Sequence, residues 1–80
     1  GIQCAVTETG DGDYLLELQT DRPAFFVTLD LPGIPGIFDD NSFTLTPQKK
    51  RIVRFTPKRK TTREAVEKTI SITDLRKSYN

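Results

Sequence analysis

Apolar and polar residues alternate with a period of two along much of this chain. Ile2, Cys4 and Val6 alternate with Gln3, Ala5 and Thr7, and the run ends at the turn-forming Gly10-Asp11-Gly12-Asp13. Tyr14, Leu16 and Leu18 then alternate with Leu15, Glu17 and Gln19. Arg22-Pro23 introduces a third run, Phe25-Phe26-Val27-Thr28-Leu29-Asp30-Leu31. Two more follow, Ser42-Phe43-Thr44-Leu45-Thr46 and Arg51 to Thr56, the second carrying Val53 and Phe55. Ile70 and Ile72 alternate with Ser71 and Thr73 in the last. Successive side chains of a strand point to opposite faces, so this is the pattern of half-buried strands, and it predicts six of them. Residues 32–41, with two prolines and two glycines, read as one long irregular connection.

A single segment departs from this period. Thr61 and Glu64 have the spacing of a capping box, in which the hydroxyl accepts an N–H of the first turn and the carboxylate reaches back. Residues 62–68 contain neither Gly nor Pro, so a short helix is expected before the last strand. Alternation then defines an inward set: Ile2, Cys4, Val6, Tyr14, Leu16, Leu18, Phe25, Val27, Leu29, Phe43, Leu45, Val53, Phe55, Ile70 and Ile72. Phe38 is expected to plug one end. Short strands separated by turns every 8–12 residues or so predict an all-β, two-sheet β-sandwich, with this set filling the space of about 10 Å between the sheets.

Composition narrows the function classes. Eighty residues make one domain, 1–80, with a core that must be economical. Hydrophobic residues make up 35% of the chain, and no run approaches the roughly 20 apolar residues of a membrane helix, so no membrane partner is expected. No secretory signal pattern opens the sequence, and Gly1 is given no role. Cys4 is the sole cysteine, which excludes an internal disulfide and reads as a small buried hydrophobe. Net charge is +1, yet residues 1–45 hold eight acids and one base, whereas residues 46–80 hold eleven bases and three acids. Such asymmetry can mark an acidic partner. In a sandwich, early and late strands lie side by side and offset each other.

Catalytic chemistry finds few candidates. The chain has no histidine, which removes the usual general base and the commonest metal ligand. Ser42, Ser71 and Ser78 have no partner base, and no Gly-rich phosphate loop opens a helix. Glu64 and Glu67 share a helix face with Arg63 and Lys68 beside them, the pattern of a solvated surface. Asp30, Asp39, Asp40 and Asn41 offer oxygen donors for calcium, but their spacing matches no known loop, and Asx side chains in loops more often fix turns. Lys49-Lys50-Arg51 and Lys58-Arg59-Lys60 flank one strand and fall about 20 Å apart at 3.3 Å per residue. A phosphate-binding stripe would be continuous, so nucleic acid is not the expected partner. A carbohydrate-binding module is a rival reading, but sugar platforms use exposed Trp or Tyr; the chain has no Trp, Tyr14 is assigned inward and Tyr79 lies in the tail. No catalytic, cofactor or metal site is assigned.

The run from Phe26 to Pro47, through Leu31-Pro32-Gly33-Ile34-Pro35-Gly36-Ile37-Phe38-Asp39-Asp40-Asn41, resembles the C-terminal immunoglobulin-like domain of β-mannosidases in glycoside hydrolase family 2. The tail from Ile70 to Tyr79 resembles the last strand and end of those enzymes. Ile37, Asp39 and Gln48 depart from the arginine, serine and turn glycine common at those positions. The resemblance implies an immunoglobulin-like sandwich, a non-catalytic accessory domain, and a larger multidomain enzyme of which this is the C-terminal part. That parent would remove terminal non-reducing β-D-mannose with retention, using two glutamates in a (β/α)₈ barrel that cannot fit in 80 residues. The partners implied are the parent's other domains, with no cofactor; lysosomal, secreted and periplasmic settings are all compatible. An exo-β-glucosaminidase of the same family, or a carbohydrate- or protein-binding module, is the alternative.

Alternation also predicts what points outward. If Val27 and Leu29 face the core, Phe26 faces solvent, and by the same logic so does Ile52. On the expectation that their strands are antiparallel neighbours in one sheet, Phe26 and Ile52 form a candidate docking face for the rest of the parent or for a second copy.

Overall fold

The computed structural model of the chain describes residues 2–74. It contains β1 (Ile2–Glu8), β2 (Tyr14–Thr20), β3 (Ala24–Asp30), β4 (Gly36–Phe38), β5 (Phe43–Leu45), β6 (Arg51–Pro57), α1 (Arg63–Thr69) and β7 (Ser71–Thr73). One sheet has the order β1-β2-β6-β4 and the other β5-β3-β7, with every pairing antiparallel. This is a two-sheet sandwich, as the alternation predicts, with one short helix before the last strand. The tail beyond Asp74, with Ser78 and Tyr79, lies outside the described residues, as does Gly1.

The β1–β2 hairpin pairs in register from Ile2 with Thr20 to Glu8 with Tyr14. Its five-residue loop closes through the Thr9 N–H, which donates to the Asp13 carbonyl at 3.1 Å. Gly10 and Gly12 take φ of +93° and +99°, values that side-chain-bearing residues rarely adopt. β2 then pairs with β6, which brings the acidic first half of the chain against the basic second half.

The connection at residues 32–41 is not wholly irregular. Gly36–Phe38 forms β4, paired with β6 so that Gly36 lies opposite Pro57 and Phe38 opposite Phe55. A Cβ at Gly36 would come within 2.6 Å of both the Phe55 ring and the Thr56 carbonyl oxygen, so the close approach of the strands needs glycine here. Phe38 is half-buried on this edge strand, and its ring packs against the core 4.9 Å from that of Phe55.

Val6, Tyr14, Leu16, Leu18, Val27, Leu29, Phe43, Leu45, Val53 and Phe55 are buried between the sheets, as the period predicts. Ile2, Cys4, Ile70 and Ile72 are half-buried against that core. Ala24, Leu31 and Val66 complete it. Val66 comes from α1, which packs on β1 and drives this one side chain fully out of water. The helix cap lies one residue later than the Thr61–Glu64 spacing suggests. Thr62 is the N-cap, its hydroxyl accepting from the Ala65 N–H at 3.2 Å. Thr61 instead lends its carbonyl to the buried Tyr14 hydroxyl, which donates at 2.9 Å. A tyrosine hydroxyl inside a core needs such a partner, and here it ties β2 to the helix approach.

Candidate functional site

β3 begins after Pro23 and does not pair evenly. Ala24 lies opposite Leu45 and Val27 opposite Phe43, so Phe25 and Phe26 together face the single residue Thr44. This is a β-bulge, and it changes the parity of the strand. Ala24 takes the inward slot that strict alternation gives to Phe25, and Phe25 turns out to 45% exposure. The inward assignment of Phe25 is thereby corrected. Phe26 adopts φ of +51°, where a side chain crowds its own backbone at a cost on the order of 1–3 kcal/mol. The Thr28 hydroxyl donates to the Phe26 carbonyl at 3.4 Å and helps hold the bulge. The outcome is two consecutive aromatic rings in solvent, Phe26 at 61% exposure.

On β6, Val53 and Phe55 point inward, which leaves Ile52, Arg54 and Thr56 on the outer face. Ile52 is exposed and lies opposite Glu17, itself opposite Ala5. Phe26 and Ile52 are therefore both in solvent, but the structure does not bring them together. β3 and β6 belong to different sheets, so their outer faces look away from each other. The expectation of a shared face rested on placing the two strands side by side, which alternation cannot decide. Ile37, a departure from the family pattern to which alternation gave no outward place, is exposed opposite Thr56 on the Ile52 face. Its signal was faint: one apolar residue outward and Phe38 inward in a strand of three.

The acidic loops are occupied by the fold. The Arg54 guanidinium donates from Nε to Asp13 at 2.7 Å and from Nη2 to Asp11 at 3.1 Å. Asp39 accepts the Arg54 backbone N–H at 2.9 Å. The Thr9 hydroxyl donates to Asp11 and, as the leading cause, holds that carboxyl below the usual aspartate range; the Asp13 N–H and Arg54 act in the same direction. Asp40 pairs with Arg51, whose guanidinium lies 5.0 Å over the Phe43 ring. Asn41 accepts the Leu29 N–H at 2.6 Å through its side-chain oxygen. Asp39, Asp40 and Asn41 thus bind protein donors and fix the approach to β5, the turn role that Asx residues commonly take. Glu67 pairs with Arg63 at 3.3 Å one helical turn away, both well exposed. Cys4 is half-buried, and burial, with Glu67 nearby, pushes its thiol pKa up. A raised pKa keeps the sulfur protonated and weakly nucleophilic. An open cleft of about 460 Å³ lies along residues 30–36, walled by Ile34, Pro35, Phe38 and Phe55, with Asp30 at its polar side. One carboxylate there makes no acid/base pair.

Comparison with known proteins places the fold in a family. A family model described as the Ig-fold domain of mannosidases matches residues 1–78. The chain belongs to that family of Ig-fold domains. Over 78 residues it is 36% identical to a beta-mannosidase of Bos taurus and 35% identical to one of Capra hircus, covering 98% of this chain in each case. A beta-mannosidase of Mus musculus is 36% identical over 66 residues, 82% of the chain. The match spans 9% of the length of the first two relatives and 7% of the third.

Proposed function

We propose that this chain is a single, non-catalytic accessory domain of a β-mannosidase-type glycoside hydrolase of family 2, placed C-terminally in a larger polypeptide. The observation that carries the reading is the pairing of two fractions: nearly all of this chain matches β-mannosidases, and it accounts for about a tenth of them. The parent would release terminal non-reducing β-D-mannose. Retaining hydrolysis needs two carboxyl groups about 5–5.5 Å apart, one a nucleophile and one an acid/base. Among the described residues, Arg54 engages Asp11 and Asp13, and Arg63 engages Glu67. The role left to it is to brace the enzyme, with the parent's other domains as its partners.

The test is hydrolysis of an aryl β-mannoside by the full-length protein and by the 80-residue chain. Turnover is expected from the first and not from the second. Turnover by the short chain that disappears with Glu64→Gln or Glu67→Gln would sink the accessory reading. A full-length protein that prefers an aryl β-glucosaminide would move the parent to another branch of family 2.

A further inference from the structure

We infer that the Phe25–Phe26 bulge is the anchor by which this domain seats in an apolar depression on another domain of the same polypeptide. The inference rests on the multidomain reading above and names the surface involved. Its first support is local. The bulge sets two adjacent phenylalanines in solvent at 45% and 61% exposure, and one of them holds a left-handed φ that bulky side chains rarely take. Strained backbone persists where its surroundings impose it and clusters at binding sites, and bulges re-aim side chains there. Aromatic rings are also the residues that most often anchor an interface.

The two outer faces differ in how closely charge surrounds their apolar residues. Among the described residues, the ladder neighbours Ala24, Thr28 and Thr44 carry no charge, and Lys49, Lys50 and Arg51 line the hollow beside Thr44. The other outer face differs. Ile52 lies opposite Glu17, which is salt-bridged to Lys50 at 3.3 Å, and Arg54 with its carboxylates separates it from Ile37. Apolar residues scattered singly in a charged face are ordinary surface. Ile52 is therefore the reference position and not the anchor.

Area selects the occupant. Two partly exposed rings cover on the order of 200 Å², well short of the roughly 1,200–2,000 Å² of a stable complex between separate molecules. Within one polypeptide the partner is presented at an effective concentration of about millimolar, so a small anchor is enough. The relatives supply such a partner, since about nine-tenths of their length lies outside the matched span.

The experiment uses the full-length protein with Cys4 replaced by alanine. Phe26→Cys and Ile52→Cys are labelled by a maleimide under native conditions, and modification is followed on the peptide by mass spectrometry. Both sites are more than half exposed in the domain, so docking is expected to slow labelling at 26 by at least about tenfold relative to 52, because a seated anchor is shielded from solvent. If Phe26→Cys fails to fold, Thr28→Cys on the same surface gives the comparison. Equal rates at the two positions overturn the anchor while leaving the multidomain reading intact. A coding sequence with no further domain removes both. Protection lost on deleting residues 75–80 would assign the cover to this chain's own terminus. Protection lost on dilution would assign it to a second copy, and either result overturns the inference.

Discussion

Leu29 and Phe25 stand four residues apart on one strand, and strict alternation treats them alike. The bulge between them makes them opposites: Leu29 is 2% exposed and Phe25 45%. Truncating a buried leucine costs its transfer free energy and leaves a cavity, together about 2–5 kcal/mol. Leu29→Ala is expected to fall in that range, and in a domain of 80 residues it can prevent folding. Phe25→Ala removes a half-solvated ring and is expected to cost less than about 1 kcal/mol in the free domain. Chemical denaturation of the two variants checks both. Equal losses would mean that β3 runs without its bulge. The sequence carries no sign of that bulge, because glycine or asparagine is the usual marker of a left-handed residue and Phe26 is neither. Elsewhere the residue-level reading holds: ten of the fifteen inward residues are buried, since a period of two leaves little choice where pairing is regular.

Among elements, length decided what could be read ahead of the structure. β1, β2 and β6 each run for seven residues and show several alternations, so their faces follow directly from the sequence. β4 has three residues between Pro35 and the Asp39–Asp40 turn, too few to show any period. Its existence depends on contact with β6, and the enabling residue is Gly36. Gly36→Ala would bring a methyl group to 2.5 Å from the Phe55 ring and 2.6 Å from a backbone oxygen, which has no room to give. Overpacking of this kind costs about 1–3 kcal/mol. The variant is expected to lose that stability and, by hydrogen exchange, to lose protection at Ile37 and Asp39 while the β1–β2 hairpin keeps its own. Unchanged exchange at Asp39, whose N–H donates to the Arg54 carbonyl at 3.0 Å, would show that β4 tolerates a side chain there. Sheet membership was likewise invisible: nothing in the pattern of β3 or β6 says which neighbours they take, and that choice separates Phe26 from Ile52.

At the scale of the whole molecule, the segregation of charge along the chain becomes a set of pairs across the fold. β6 carries the start of the basic half and lies against β2 and β4, which come from the acidic half. Lys50 meets Glu17, Arg51 meets Asp40, and Arg54 meets Asp11 and Asp13. Exposed ion pairs contribute little one by one. Their shared dependence on ionised carboxylates nevertheless gives the domain a direction of pH sensitivity. The Asp11 carboxyl is held below its usual range in the folded state, first by the Thr9 hydroxyl. Folding therefore favours its ionised form, so its contribution is present above the unfolded value of about 3.9 and is lost as pH falls through the lower folded value. Denaturation midpoints measured from pH 7 down to pH 2 are expected to fall more steeply for the unaltered chain than for Asp11→Asn, with the two curves converging at the acid end. Adding salt at pH 7 should narrow the gap from the same side, because screening weakens exposed pairs. Parallel curves for the two proteins at all pH values would show that the hydrogen bonds of the β1–β2 loop act without regard to the charge of Asp11. The seam between the acidic and basic halves would then owe its stability to the β2–β6 ladder and to Leu16, Leu18, Val53 and Phe55 beneath it.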